Sequence, residues 1–199
     1  MNTIEAWNNV FKAGKDFTSF NEIFLDKILL PLLNEKPGMT KKELLDIGCG
    51  TGDVLFKMMN RGWNVTGVDG SSEAVQMALV RTGLGTERIL VGDINNGALD
   101  VFTGRKFDLI ITKLVIAFVK DKKLMLSRVR ELLSNHGKLL IISPLLYEGT
   151  TYTKPHTTGI AVRESELSNI LKTTFHEFNL IHRDFADDNG VTGYYICSS

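Results

Sequence analysis

Cysteine is nearly missing from this 199-residue chain: only Cys49 and Cys197 occur, with no metal-ligand spacing and no disulfide framework. Neither sign of charge is in surplus. Twenty-three basic residues face twenty-three acidic ones, and the isoelectric point is about 6.9. A general polyanion binder carries a basic excess, so nucleic acid is not the expected partner. No apolar run approaches the ~18 residues that cross a bilayer. The N-terminus shows no basic segment followed by an apolar stretch and a cleavage site. The expectation is a cytoplasmic protein that does not engage membranes. Internal repeats and low-complexity linkers are also missing, which leaves a single domain with an ordinary hydrophobic share of 43%.

The chain opens on two helical patterns. Thr3 can cap a first helix bearing Ile4, Trp7, Val10 and Phe11, stopped at Gly14. Ser19-Phe20-Asn21-Glu22 is a capping box for a second, with Ile23, Phe24, Ile28, Leu29, Leu32 and Leu33 as its apolar positions. Pro37-Gly38 breaks the chain before a run of alternating strands and helices. Strands are expected at 44–47, 63–69, 89–93, 107–112 and 138–144. Helices are expected from Asp53, from Ser71 to about Thr82, and after Asp121, the last with Met125, Val129, Leu132 and Leu133 inward and Gly137 at its stop. Residues 95–106 read as loop or one short helical turn, and 147–162 as a long threonine-rich surface loop. A helix over 164–175 with Leu167, Ile170 and Leu171 inward precedes two strands, 176–184 and 192–198, joined by the hairpin signal Asn189-Gly190. Such alternation specifies an α/β fold with a doubly wound, mostly parallel sheet and an antiparallel C-terminal hairpin strand.

One stretch organises the chain: Leu44-Leu45-Asp46-Ile47-Gly48-Cys49-Gly50-Thr51-Gly52. It reads as strand, tight glycine turn and helix start. Glycine suits positive φ and close approach to a ligand, and the helix N-terminus that follows favours polar or anionic groups. The dinucleotide spacing GxGxxG fails, because Asp53 stands where the third glycine belongs. Asp46 and Asp53 flank the turn, which suits a cationic ligand better than a diphosphate. Cys49 inside the turn is a small filler and no nucleophile.

In an open parallel sheet, ligands sit beyond the carboxyl ends of the strands. Asp46, Asp69 and Asp93 recur there at intervals of one βαβ step. A carboxylate ending the second strand can accept both hydroxyls of a ribose, one ending the third can accept from an adenine amine, and one beside the glycine turn can hold an ammonium. The ligand so drawn is an adenosine with a cationic amino-acid tail and no phosphates.

These motifs, with Val68-Asp69-Gly70-Ser71, Gly92-Asp93-Ile94 and Phe107-Asp108-Leu109-Ile110-Ile111, resemble the successive motifs of the class I S-adenosylmethionine-dependent methyltransferases. The likeness covers about 40–145 and continues weakly beyond. It implies a Rossmann-like sheet of seven strands, the seventh antiparallel. By that resemblance Gly48 and Gly50 approach the methionine moiety, and Asp46 assists its amine through water. Asp69 takes the ribose hydroxyls and Gly70 lies against ribose and adenine. Asp93 binds the adenine amine with Ile94 beside the ring. Lys113 sits where the family contributes a backbone carbonyl to the methionine amine, its ammonium reaching either the acceptor or solvent.

The resemblance implies S-adenosylmethionine as donor and S-adenosylhomocysteine as product, transferring a methyl group by in-line displacement. Size and charge favour a small-molecule acceptor; an RNA or protein methyltransferase, or a non-catalytic binder of the donor, are the alternatives. Thr112-Lys113-Leu114-Val115 replaces the Asn-Pro-Pro-Tyr type of sequence found in amino-methylating DNA enzymes. No general base is identified. Lys15, Asp16, Tyr152 and His156 are acceptor-side candidates, while His136 reads as a helix-end charge partner and His176 and His182 as structural. No metal is expected and no oligomeric state follows. The expected organisation is one methyltransferase domain over 1–199, with an N-terminal helical lid at 1–38 and a Rossmann-like core at 39–199.

Overall fold

A computed structural model describes residues 3–15, 22–33, 42–149, 159–185 and 190–198. By internal contact the chain divides into two compact units, Met1–Gly92 and Asp93–Ser199.

The first unit holds α1 (Thr3–Lys12), α2 (22–32), β1 (Glu43–Ile47), α3 (Asp53–Met59), β2 (Asn64–Asp69), α4 (Ser72–Thr82) and β3 (Ile89–Val91). Its strands pair in parallel, β2 between β1 and β3, with Asp46 opposite Gly67 and Asp69 opposite Val91. Leu44, Leu45, Ile47, Val65 and Val68 are buried, as strands covered on both faces require. Val54, Leu55 and Met58 of α3 and Ala74, Val75 and Ala78 of α4 are buried too. The expected start and end of α4 hold. Ser71 Oγ accepts the Ala74 N–H at 3.2 Å, and Gly83 ends α4 at φ 69°. The third strand is shorter than expected: it stops at Val91, so Gly92 and Asp93 lie past its end.

The second helix departs from its sequence pattern. Residues Leu25–Leu29 are π-helical, and the Leu30 N–H bonds to the Leu25 carbonyl five residues back. Pro31 accounts for this, because it has no N–H to give and its ring crowds the carbonyl one turn before it. The widened turn rotates the face. Phe24, Leu25 and Leu29 are buried, whereas Ile23 and Leu32, also among the apolar positions of the pattern, are 64% and 41% exposed. Arg61 anchors the helix: its guanidinium donates to both Asp26 oxygens at 2.9 and 3.1 Å and to Glu22 at 2.7 Å. Residues 19–21 of the capping box lie outside the described residues, as do Pro37 and Gly38.

The second unit contains a 3₁₀ turn (Asp100–Phe102), β4 (Phe107–Lys113), a second 3₁₀ turn (Ile116–Phe118), α5 (Lys122–Leu132), β5 (Leu133–Leu146), β6 (Val162–Arg163), α6 (Glu164–Thr174), β7 (Glu177–Phe185) and β8 (Val191–Ser198). Asp121 caps α5 by accepting the Leu124 N–H at 2.9 Å. Met125, Leu126, Val129 and Leu132 are its buried residues. Gly137 is not the stop of this helix. β5 begins at Leu133, and a bulge sets Phe107 opposite Leu133 but Leu109 opposite Lys138. A side chain at Gly137 would meet the Phe107 carbonyl at 2.6 Å, so glycine serves close strand contact there and no helix cap. His136 is accordingly an exposed residue of the bulged strand and not a helix-end partner.

β5 runs parallel to β4 and to the two-residue β6, while β8 is antiparallel to β5 and β7. The β7–β8 pairing shifts register between Leu180 and His182. The antiparallel C-terminal pair is as expected, and β6 adds an eighth strand where the segment read as loop ends. The chain is thus a mixed α/β fold with a mostly parallel sheet. Asp187, Asp188 and Asn189 of the hairpin turn lie outside the described residues.

Candidate functional site

In the first unit the glycine turn has the conformation its composition demands. Gly48, Gly50 and Gly52 take φ of 73°, 53° and 80°, all left-handed. Gly52 also lets α3 approach α4, since an added Cβ would lie 3.0 Å from the Ala78 Cβ. The Gly48 N–H bonds to the Val68 carbonyl at 2.7 Å, tying the turn to β2.

Asp69 ends β2 and is half-buried. One carboxylate oxygen accepts the Gly50 N–H at 2.9 Å and the other the Ser71 N–H at 2.8 Å. Burial pushes its carboxyl above its ordinary value, against the two backbone N–H groups that favour the charged form. Each oxygen keeps acceptor capacity for a further donor such as a hydroxyl. Gly70 follows immediately, with Ser71 Oγ donating to Asn8 Oδ1 of α1 at 2.6 Å. Asp46 is buried within β1. Asp46, Gly48, Gly50, Asp69 and Gly70 therefore belong to one end of this parallel sheet, as the sequence spacing requires.

Cys49 lies buried beneath the turn. Burial, with the nearby Asp46 and Asp69 charges, pushes its thiol well above the ordinary range, which removes it as a nucleophile. Its sulfur fills space beside Gly67, where a Cβ would meet Leu55 at 2.7 Å and Cys49 Sγ at 2.9 Å.

The other expected ligand contacts stand in the second unit. Asp93 makes a local turn: Oδ1 accepts the Asn95 N–H and Oδ2 the Asn96 side-chain amide, each at 2.9 Å. Ile94 is half-buried in that turn. Lys113 is the last residue of β4, half-buried and opposite Ile142. Leu114 then takes φ 61°, rare for a branched aliphatic residue, with its N–H on the Ile142 carbonyl at 2.8 Å. Lys15 is exposed after α1. Asp16, Tyr152 and His156 lie outside the described residues. His176 is exposed, and His182 Nε2 lies 2.9 Å from Asp184 Oδ1, with Tyr194 O–H donating to the other oxygen of Asp184.

Three contributors escaped the sequence reading. Arg81 of α4 reaches back to donate to Thr51 Oγ1 in the glycine turn at 2.9 Å. Asn95 links the Asp93 turn to the segment after β4, donating to the Phe118 carbonyl at 3.2 Å and accepting the Lys120 N–H at 2.8 Å. Asn8 is the third. The Asp-Ile-Asn-Asn run carried a turn signal; Arg81 and Asn8 act over long sequence separations and carried none.

The chain matches the family model described as a methyltransferase domain over residues 39–183. It belongs to the class I S-adenosylmethionine-dependent methyltransferases. Among curated relatives of this methyltransferase domain, nocamycin O-methyltransferase of Saccharothrix syringae is 32% identical over 123 residues, 59% of this chain and 42% of that protein. The 23S rRNA (uracil(1939)-C(5))-methyltransferase RlmD of Methylococcus capsulatus is 27% identical over 97 residues, 47% of this chain and 22% of that protein. The chain thus spans less than half the length of these relatives. In fold it is similar to a TehB-like SAM-dependent methyltransferase of Corynebacterium glutamicum, with a TM-score of 0.63, 18% identity, and coverage of 100% of this chain and 97% of that one.

Proposed function

We propose that the chain transfers a methyl group from S-adenosylmethionine to a small-molecule acceptor by in-line displacement, releasing S-adenosylhomocysteine, and that it works in the cytoplasm. The observation that carries this is the left-handed glycine turn locked to the Asp69 carboxylate through the Gly50 N–H. That end of the first unit offers carboxylates and bare backbone to a cationic adenosyl ligand. The donor, when bound, supplies a methyl group already activated on a sulfonium.

The chain's residues bind and orient. Asp69 accepts the ribose hydroxyls, Asp93 the adenine amine beside Ile94, and Gly48 and Gly50 leave room for the methionyl part. Asp46 supports its amine, and the Lys113 backbone borders it. Positioning donor and acceptor in line is worth an effective molarity of ~10⁵–10⁸ M, and a base is needed only for a nucleophile that arrives protonated at high pKa. We further propose one methyltransferase domain over 1–199, its core at 39–199 and its N-terminal helices at 1–38 acting as cover. Support for a small acceptor comes from the net charge of zero and from the likeness to an O-methyltransferase of a small molecule.

Labelled donor tests this. The protein is incubated with S-adenosyl[methyl-³H]methionine and cell extract fractionated by size. Label in a low-mass fraction is expected. Label confined to RNA or protein would transfer the reading to those acceptors. Donor binding without turnover on any fraction would leave a binding protein.

A further inference from the structure

Helix α1 presents one face to the ligand end of the first unit. Ile4, Asn8 and Phe11 are spaced i, i+4, i+7 and share a side. A Cβ added to Gly70 would sit 3.1 Å from Ile4 Cγ1 and 3.3 Å from Ile4 Cδ1, and one added to Gly50 would lie 3.8 Å from Phe11 Cζ. Between these contacts Asn8 Oδ1 accepts the Ser71 hydroxyl at 2.6 Å, and the Ser71 N–H is on Asp69. Ile4 and Phe11 stand about 10 Å apart along the helix axis. One helix face therefore reaches both glycines and bonds to Ser71, whose own N–H is held by the Asp69 carboxylate.

Gly70, unlike Gly50, is not in the left-handed region. Its backbone would accept any residue; what it lacks is room, because Ile4 occupies the side-chain space. A bare glycine offers a purine or ribose no apolar surface, and ligand pockets are lined mostly by apolar groups with a few polar ones for orientation. Ile4 supplies that surface from a different element. It stays half-buried, as does Trp7, whose ring packs on Phe11 with centroids 5.8 Å apart.

We propose that Ile4 and Phe11 are donor-binding residues: α1 is the apolar wall of the donor pocket, Ile4 standing in for the side chain absent at Gly70 and Phe11 facing the glycine turn. This rests on the donor reading above. Asn8 is the positioning residue that fixes the wall relative to Asp69 through Ser71.

Calorimetry of the full chain with S-adenosylhomocysteine tests it. Absence of binding to the unmodified protein defeats the donor reading, and the wall falls with it. Given binding, Ile4→Ala is expected to weaken affinity about tenfold, the scale of losing a few partly buried carbons. Asn9→Ala, exposed on the far side of α1, leaves it unchanged. Gly70→Leu alone collides with Ile4 and weakens binding. Ile4→Ala combined with Gly70→Leu moves the side chain from helix to strand end and recovers most of the loss. Unchanged or tighter binding in Ile4→Ala overturns the proposal, since Ile4 would then be indifferent or would occupy ligand volume. So does a folded double variant that recovers nothing. If Ile4→Ala fails to fold, Ile4→Val and Phe11→Leu serve: each is expected to weaken binding two- to fivefold at unchanged melting temperature, and unchanged affinity in both overturns it.

Discussion

Asp69 concentrates more work than its position in a motif suggests. Read from sequence, it is a ribose acceptor at the end of a strand, whose removal should spare the fold. The structure gives it a second task, because it satisfies the Gly50 and Ser71 N–H groups. Asp69→Ala should therefore cost both properties: roughly 2–4 kcal/mol of donor affinity and a measurable drop in melting temperature, since two N–H groups lose their acceptor. Calorimetry and thermal melts separate the two. An unchanged melting temperature with lost affinity would mean the carboxylate serves the ligand alone. The pH dependence has a definite sign. The folded carboxyl is raised above its ordinary 3.8 by burial, so the folded state holds the proton more tightly than the unfolded one. Its contribution to stability is full below 3.8 and is lost as pH rises through the raised value. Asp69→Asn removes that dependence, and the melting temperature of the native protein should fall relative to this variant as pH rises from 3.8.

At the level of elements, the glycines divide by what they are for. Gly83 is left-handed but has open space around the position of a Cβ, whereas Gly67 has an ordinary φ and no space at all. Gly83→Ala should cost about 1–2 kcal/mol, the strain of a left-handed residue. Gly67→Ala should cost about 1–3 kcal/mol by overpacking against Leu55 and Cys49. Only Gly67→Ala should also weaken donor binding, because Cys49 belongs to the turn. Denaturant titration and calorimetry on both variants check this.

The same contrast explains what the sequence could tell. The glycine turn, the carboxylate at the end of β2 and the helix starts at Ser71 and Asp121 were legible because local chemistry decides them. The second helix misled because Pro31 widens it, which the apolar spacing does not encode; Gly137 misled because a glycine after a helical pattern reads as a stop, while its reason is the Phe107 carbonyl across the strand pair. Arg81, Asn8 and Ile4 were out of reach for a different cause: their partners are tens of residues away in sequence.

For the molecule as a whole, linkage gives the broadest test. A ligand held by the native state alone, at a hundredfold excess over its dissociation constant, adds about 2.7 kcal/mol of stability. In a chain of 199 residues that raises the melting temperature by roughly 5–11 °C. S-adenosylhomocysteine should produce such a shift and NAD at equal concentration none; a shift from NAD alone would reverse the assignment of the glycine turn. The β7 strand has a bearing on behaviour at high concentration. It spans nine residues and pairs only with β8 among the described strands, long enough to recruit another chain edge to edge. Its break in register between Leu180 and His182 interrupts the row of backbone groups, and exposed Glu177, Arg183 and Asp184 line it with charge. A neighbouring strand would find no continuous ladder to extend and would have to bury ions to try. Among the described strands, this long edge is thereby guarded against aggregation.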